Sequence, residues 1–119
     1  MPRTRAGERW ERYAEAVLIA RGMRCVARNH RCRGGEIDLV MAAGEQLIFV
    51  EVRYRRAARF GSAAESVDAR KQQRLICAAE DFLMRHPQFA NHPCRFDVIA
   101  LYGEADAPGC EWIAGAFSA

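Results

Sequence analysis

Asp38 and Glu51 stand in two adjacent runs, Glu36 to Ala43 and Gln46 to Tyr54, that read as β-strands separated only by Gly44-Glu45. A two-residue loop with glycine first is what a type II′ hairpin turn requires. With that turn, Ala43 faces Gln46, and counting outward places Asp38 directly opposite Glu51. Side chains alternate along a strand, so the facing pairs sort into two sets. One set, Ile37 with Val52, Leu39 with Val50 and Met41 with Ile48, is wholly apolar and must be buried. The other holds Glu36 with Arg53, Asp38 with Glu51, and Val40 with Phe49.

Opposed β-carbons lie about 4.5–5.5 Å apart, and like charges there are destabilising. Two carboxylates so close either share a proton or are neutralised by a bound cation. Oxygen-only ligands suit a hard ion such as Mg²⁺ (or Mn²⁺), which takes one or two carboxylates together with substrate phosphate. The other reading of the same geometry is a solvated acidic face in which Glu36 and Arg53 form an ion pair. Val40 and Phe49 on that face point instead to the floor of a partly covered cleft.

The elements that must hold these acids follow from periodicity. Trp10, Tyr13, Ala14, Val17 and Leu18 recur at helical spacing from about Thr4 to Arg21, and Gly22 stops that helix. Met23 to Asn29 reads as a first strand, with Cys25 and Ala27 alternating against Arg24 and Arg28; Arg33-Gly34-Gly35 is turn chemistry. After a basic, irregular stretch from Arg55 to Gly61, a long helix is expected from Ser62 or Ala63 to His86, ended by Pro87. Cys94 to Tyr102 and a shorter Glu111 to Phe117 complete the strands. The fold class is therefore α/β: a mixed central sheet of about five strands flanked by helices, in the order αβββαββ.

The 119 residues suit one domain able to bury a core without a metal staple. The 5 cysteines are scattered, with no CxxC pair and no histidine at zinc-ligand spacing, which argues against a zinc site. No apolar run resembles a signal peptide or a membrane span, so a cytoplasmic protein with no membrane partner is expected. The net charge of +3 is mild, and 18 basic residues include a single lysine, Lys71. A GC-rich coding bias accounts for such arginine usage; arginine also suits phosphate contacts.

The strings Gly35-Glu36-Ile37-Asp38-Leu39-Val40 and Phe49-Val50-Glu51-Val52-Arg53 resemble the PD-(D/E)XK pattern of restriction-endonuclease-like nucleases. More closely, the chain is similar to the YraN family of small bacterial proteins, which is related to archaeal Holliday-junction resolvases. The likeness extends over Glu11-x-x-Ala14, Arg33-Gly34-Gly35, Tyr54-Arg55, Ser66-Val67 with Lys71, and Arg95-Phe96-Asp97-Val98. It implies a restriction-endonuclease-like core over residues 1–119 and an endonuclease that hydrolyses DNA phosphodiester bonds with Mg²⁺ or Mn²⁺, on branched or recombining DNA. Asp38 and Glu51 would be the metal-binding acids, the Val52 carbonyl a further ligand, and Glu11 the extra acid of the resolvase branch. A homodimer is expected by the same analogy.

The departure is Arg53, which stands where the pattern has a catalytic lysine. Arginine stays protonated, so it can stabilise charge but cannot act as a base. Lys71 on the following helix is the candidate to compensate, with Gln72 beside it able to orient a water or a phosphate. Arg53, Arg55, Arg56 and Arg59 form a basic run fit to hold a nucleic-acid backbone. The alternative function is a nucleic-acid-binding module that keeps the nuclease fold without turnover. Glu8 and Glu15 read as surface charges, Asp97 as a hydrogen-bonding residue, His30, His86 and His92 as surface or loop positions, and Trp112 and Phe117 as packing residues.

Overall fold

A left-handed glycine closes the central hairpin: Gly44 has φ 61°, while Glu45 keeps an ordinary negative φ, as a type II′ turn demands. The computed structural model describes residues 5–55, 67–103 and 108–119. Their elements are α1 (Arg5–Ala20), β1 (Arg24–Cys32), β2 (Gly35–Ala43), β3 (Gln46–Arg55), α2 (Ala69–Arg85), β4 (Cys94–Tyr102) and β5 (Gly109–Phe117), with a 3-10 turn Pro87–Phe89 after α2. The order αβββαββ is the expected one. The five strands lie in sequence order across one sheet; β3 and β4 are parallel and the other neighbours antiparallel.

A parallel pair needs a crossover, and α2 with the turn behind it supplies the connection between β3 and β4. The helices cover opposite faces. Ala14 and Leu18 of α1 pack with Leu39, Met41, Ile48, Val50, Ile99 and Leu101. Leu75, Ala78 and Phe82 of α2 pack with Val40, Leu47, Phe49, Phe96 and Val98. Burial on both faces explains why Leu47 to Val50 is an unbroken apolar run instead of an alternating one. Val40 and Phe49 are thus sealed under α2 and do not floor an open cleft, and Ile37 packs with them and not with Leu39 and Met41.

Three other expectations are corrected. α2 starts at Ala69, because Asp68 has extended backbone and its carboxylate accepts the Lys71 N–H at 2.8 Å, which caps the helix there; the expected start at Ser62 or Ala63 lies outside the described residues. β1 runs on to Cys32, and a bulge between Cys25 and Ala27 sends those two side chains to opposite faces. β5 begins at Gly109 and is as long as β4.

Asp97 ties β5 on. It faces the α1 side and is 1% exposed, yet it accepts four hydrogen bonds: two from Arg95 (2.8 and 2.9 Å), one from Trp112 Nε1 and one from the Gly115 N–H (both 2.9 Å). The β4–β5 register shifts at this residue, and Gly115 takes φ 61° there. Asp97 is therefore the anchor of an irregular edge strand, on the sheet face opposite Glu51. Asp97→Ala is expected to destabilise the fold by about 3–5 kcal/mol, because it strands the Arg95 guanidinium without its partner. A urea midpoint unchanged by the substitution would contradict this anchoring role.

Candidate active site

Pairing of β2 with β3 follows the expected register outward from the turn, from Ala43 with Gln46 to Leu39 with Val50, and then stops. β3 continues along β4 as far as Arg55 with Tyr102, while β2 continues along β1 to Cys32 with Gly35. The two strands part where the acids stand. Asp38 spans the opening: its Oδ2 accepts the Val52 N–H at 2.8 Å, in place of a backbone carbonyl. This parting also corrects the pairing of Glu36 with Arg53. Glu36 faces Arg31 across β1 and lies 3.4 Å from its guanidinium.

Glu51 is 4% exposed on the α2 side of the sheet. Arg53 Nη1 and Lys71 Nζ approach its Oε2 at 3.3 and 3.5 Å. Lys71 gets there because α2 presses on the start of β2: a β-carbon at Gly35 would collide with the Arg74 carbonyl, so this position must stay bare. Burial and then the neighbouring Asp38 carboxylate push the Glu51 pKa up to about 8, against the pull of Lys71 and Arg53. The Asp38 carboxylate stands close enough to disfavour charge on Glu51, so the pair favours holding a proton between them.

The remaining sequence candidates divide. Val52 packs its side chain toward the α1 core. Arg55 shares the strand face of Glu51 and Arg53 and is half-buried, its carbonyl accepting the Gly103 N–H at 3.3 Å. The side-chain amide of Gln72 donates to the Val67 carbonyl at 3.0 Å, so it secures the start of α2. Arg56 and Arg59 lie outside the described residues. Glu11 is buried on the α1 side, in a cleft of about 170 Å³ that it shares with Arg28, Asn29 and Leu39. Trp10 stacks on Tyr54 with ring centroids 4.1 Å apart, pinning this part of α1 over the end of β3. Among the described residues no three of His, Cys, Asp and Glu converge closely enough to hold a metal ion, so Glu11 does not join the acid pair in one cluster.

Two residues near the site went unnoticed in the sequence. Arg70 and Arg74 join Arg53, Asp68 and Lys71 around an open cleft of about 320 Å³. Among the described residues its single acid, Asp68, is engaged in capping α2. The signal was available: Arg70, Lys71 and Arg74 fall on one helical face. Two sequence readings fail elsewhere. Glu15 is buried and clamps Arg28 at 2.6 and 2.7 Å instead of lying in solvent, and this bond holds its carboxyl below the usual range. His30 lies inside, 2.8 Å from Asp81 and edge-on to Phe82.

A model of the uncharacterised protein family UPF0102 matches residues 10–101. A UPF0102 protein of Pseudomonas putida (strain GB-1) is 50% identical over 115 residues, covering 96% of this chain and 94% of its own. One from Methylobacillus flagellatus is 54% identical over 113 residues, covering 95% and 96%. One from Stutzerimonas stutzeri (strain A1501) is 51% identical over 110 residues, covering 89% and 92%.

The raised pKa of Glu51 carries a pH signature. The folded protein holds a proton that the unfolded chain releases above the ordinary value of 4.5, so this stabilisation is lost as pH rises through about 8. The melting temperature of the metal-free protein is expected to fall across that window. In Glu51→Gln, which keeps the neutral shape, most of that slope should disappear. Equal slopes for the two proteins in thermal melts would show that Glu51 is not the group responsible.

Proposed function

The chain belongs to the UPF0102 family, and from its site we propose that it is a metal-dependent endonuclease acting on DNA, with branched DNA as the first substrate to try. The observation that carries this reading is Asp38 set against the buried Glu51 at the opening between β2 and β3, flanked by Lys71 and Arg53. A shared proton is the least that such a pair needs; a divalent cation neutralises both carboxylates and suits an all-oxygen donor set. Asp38, Glu51 and the Val52 carbonyl would hold Mg²⁺ or Mn²⁺, which supplies Lewis-acid polarisation of a phosphoryl oxygen and an acidified water.

The protein's own groups do the rest. The Val52 N–H fixes the Asp38 carboxylate in orientation. The Arg53 guanidinium stabilises charge gathering on the phosphate, but a guanidinium does not serve as a general base. Lys71, brought in by α2, supplies the compact ammonium that the Glu51-Val52-Arg53 motif lacks. Arg70 and Arg74 continue the positive surface along α2 and Arg55 along β3, where they would grip the backbone without reading bases. Glu11 would act from the α1 side, as an acid beside the substrate.

The second reading is a DNA-binding protein that has lost turnover, and Arg53 in the lysine position favours it. The acid pair weighs against it, because two adjacent carboxylates repel phosphate and serve a binder no purpose.

Incubation with duplex, single-stranded and four-way-junction DNA should give cleavage in Mg²⁺ or Mn²⁺ that EDTA abolishes. Asp38→Ala and Glu51→Gln should abolish it too, with DNA binding retained. Lys71→Ala should slow it about 10²–10³-fold, the scale of one lost charge-stabilising donor. Binding without cleavage, unchanged in the Asp38 variant, would leave the second reading in place. In a salt titration of DNA affinity, replacing Arg70 and Arg74 together should reduce the slope of log K against log salt by about 0.9 for each phosphate no longer neutralised. An unchanged slope would remove that cleft from the DNA path.

A further inference from the structure

Asn29, in the middle of β1, has two unusual properties. Among the described residues it alone combines a side chain with a positive φ, 53°. Its Oδ1 is also the one buried side-chain polar atom among them that lacks a hydrogen-bond partner. The pairs Arg28 with Leu39 and His30 with Ile37 bracket it, which places Asn29 opposite Asp38 in the β1–β2 register.

The left-handed backbone has a visible local effect. Arg28 turns to the α1 side, where it meets Glu15, whereas His30 turns to the α2 side, where it meets Asp81 and Phe82. In a regular strand both would share one face. Asn tolerates this conformation better than most residues with a β-carbon, but glycine takes it freely. Backbone conformation alone therefore gives no reason for a carboxamide whose oxygen is shut away from water without a donor.

The surroundings indicate the missing donor. Asn29 lines the α1-side cleft together with Glu11 and with Leu39, the neighbour of Asp38. Of the two guanidinium groups in the same cleft, that of Arg28 is engaged by both oxygens of Glu15, and that of Arg12 is largely exposed and lies 3.5 Å from Glu8. A hydrated divalent cation presents O–H donors outward from its waters, and such outer contacts orient a metal site. Resting on the metal-site reading of Asp38 and Glu51, we infer that Asn29 is a positioning residue of that site: its carboxamide oxygen accepts a hydrogen bond from a water brought in with the cation.

Glycine and aspartate at this position separate the two roles. Asn29→Gly retains the left-handed backbone and loses the acceptor; Asn29→Asp retains an acceptor oxygen and adds a negative charge. Both would be titrated with Mn²⁺ by calorimetry without nucleic acid, and melted metal-free, beside the parent protein. The metal-free glycine variant should melt at or above the parent, and its Mn²⁺ affinity should fall about 10-fold or more, the usual effect of removing an outer hydrogen bond. The aspartate variant should bind Mn²⁺ more tightly than the parent. A glycine variant that binds like the parent, or an aspartate variant that binds no tighter, would overturn the inference and leave the metal site standing. A parent protein that takes up no Mn²⁺ would overturn the metal-site reading itself, and this inference with it.

Discussion

Two carboxylates held together under a helix, at the point where one strand leaves its neighbour, are the arrangement on which the site depends. Asp38 and Glu51 repel when both are charged, and burial of Glu51 adds to the cost. Two cations on one Glu51 oxygen do not remove it. The pair therefore needs something positive between its oxygens, whether a proton or a metal ion. The surrounding architecture keeps it closed: β3 is held by β4 along its whole length, while Asp38 bonds back to the Val52 N–H across the opening.

α2 serves the core and the site with different residues of one helix. Leu75, Ala78 and Phe82 seal one face of the sheet, and this packing sets the depth at which the helix lies. That depth is permitted by a bare Gly35 beneath the Arg74 carbonyl, and it delivers Lys71 to Glu51. The Asp68 cap sets where the helix begins, and so which turn carries Arg70, Lys71 and Arg74 into the cleft.

The opposite face carries a different kind of polar burial. Asp97 is fully satisfied by four donors, and Glu15 by a bidentate arginine. Full satisfaction is the mark of a structural group, since nothing remains to be supplied from outside. The Asn29 oxygen lacks that completeness, and it stands in the strand register beside the parting of β2 from β3.

Local chemistry was enough to read the element order, the type II′ turn, the hairpin register from Ala43 to Leu39 and the identity of the acid pair. Each of these depends on backbone geometry and on side-chain alternation over a few residues, which the sequence alone carries. The same alternation misled beyond Leu39, where β2 leaves β3 and Glu36 passes to Arg31, and again at the bulge in β1. Burial on both faces was missed at Val40 and Phe49, because a strand cannot show which helix will cover it. Arg70 and Arg74 carried a helical spacing but no reason to prefer them to any other exposed arginine. His30 and Glu15 found their partners 51 and 13 residues away, and such pairings leave no local trace. The sequence thus determined which groups are capable of chemistry; the packing of α1 and α2 on the two sheet faces decided which of them meet, because contact across a core depends on the depth and angle of whole elements.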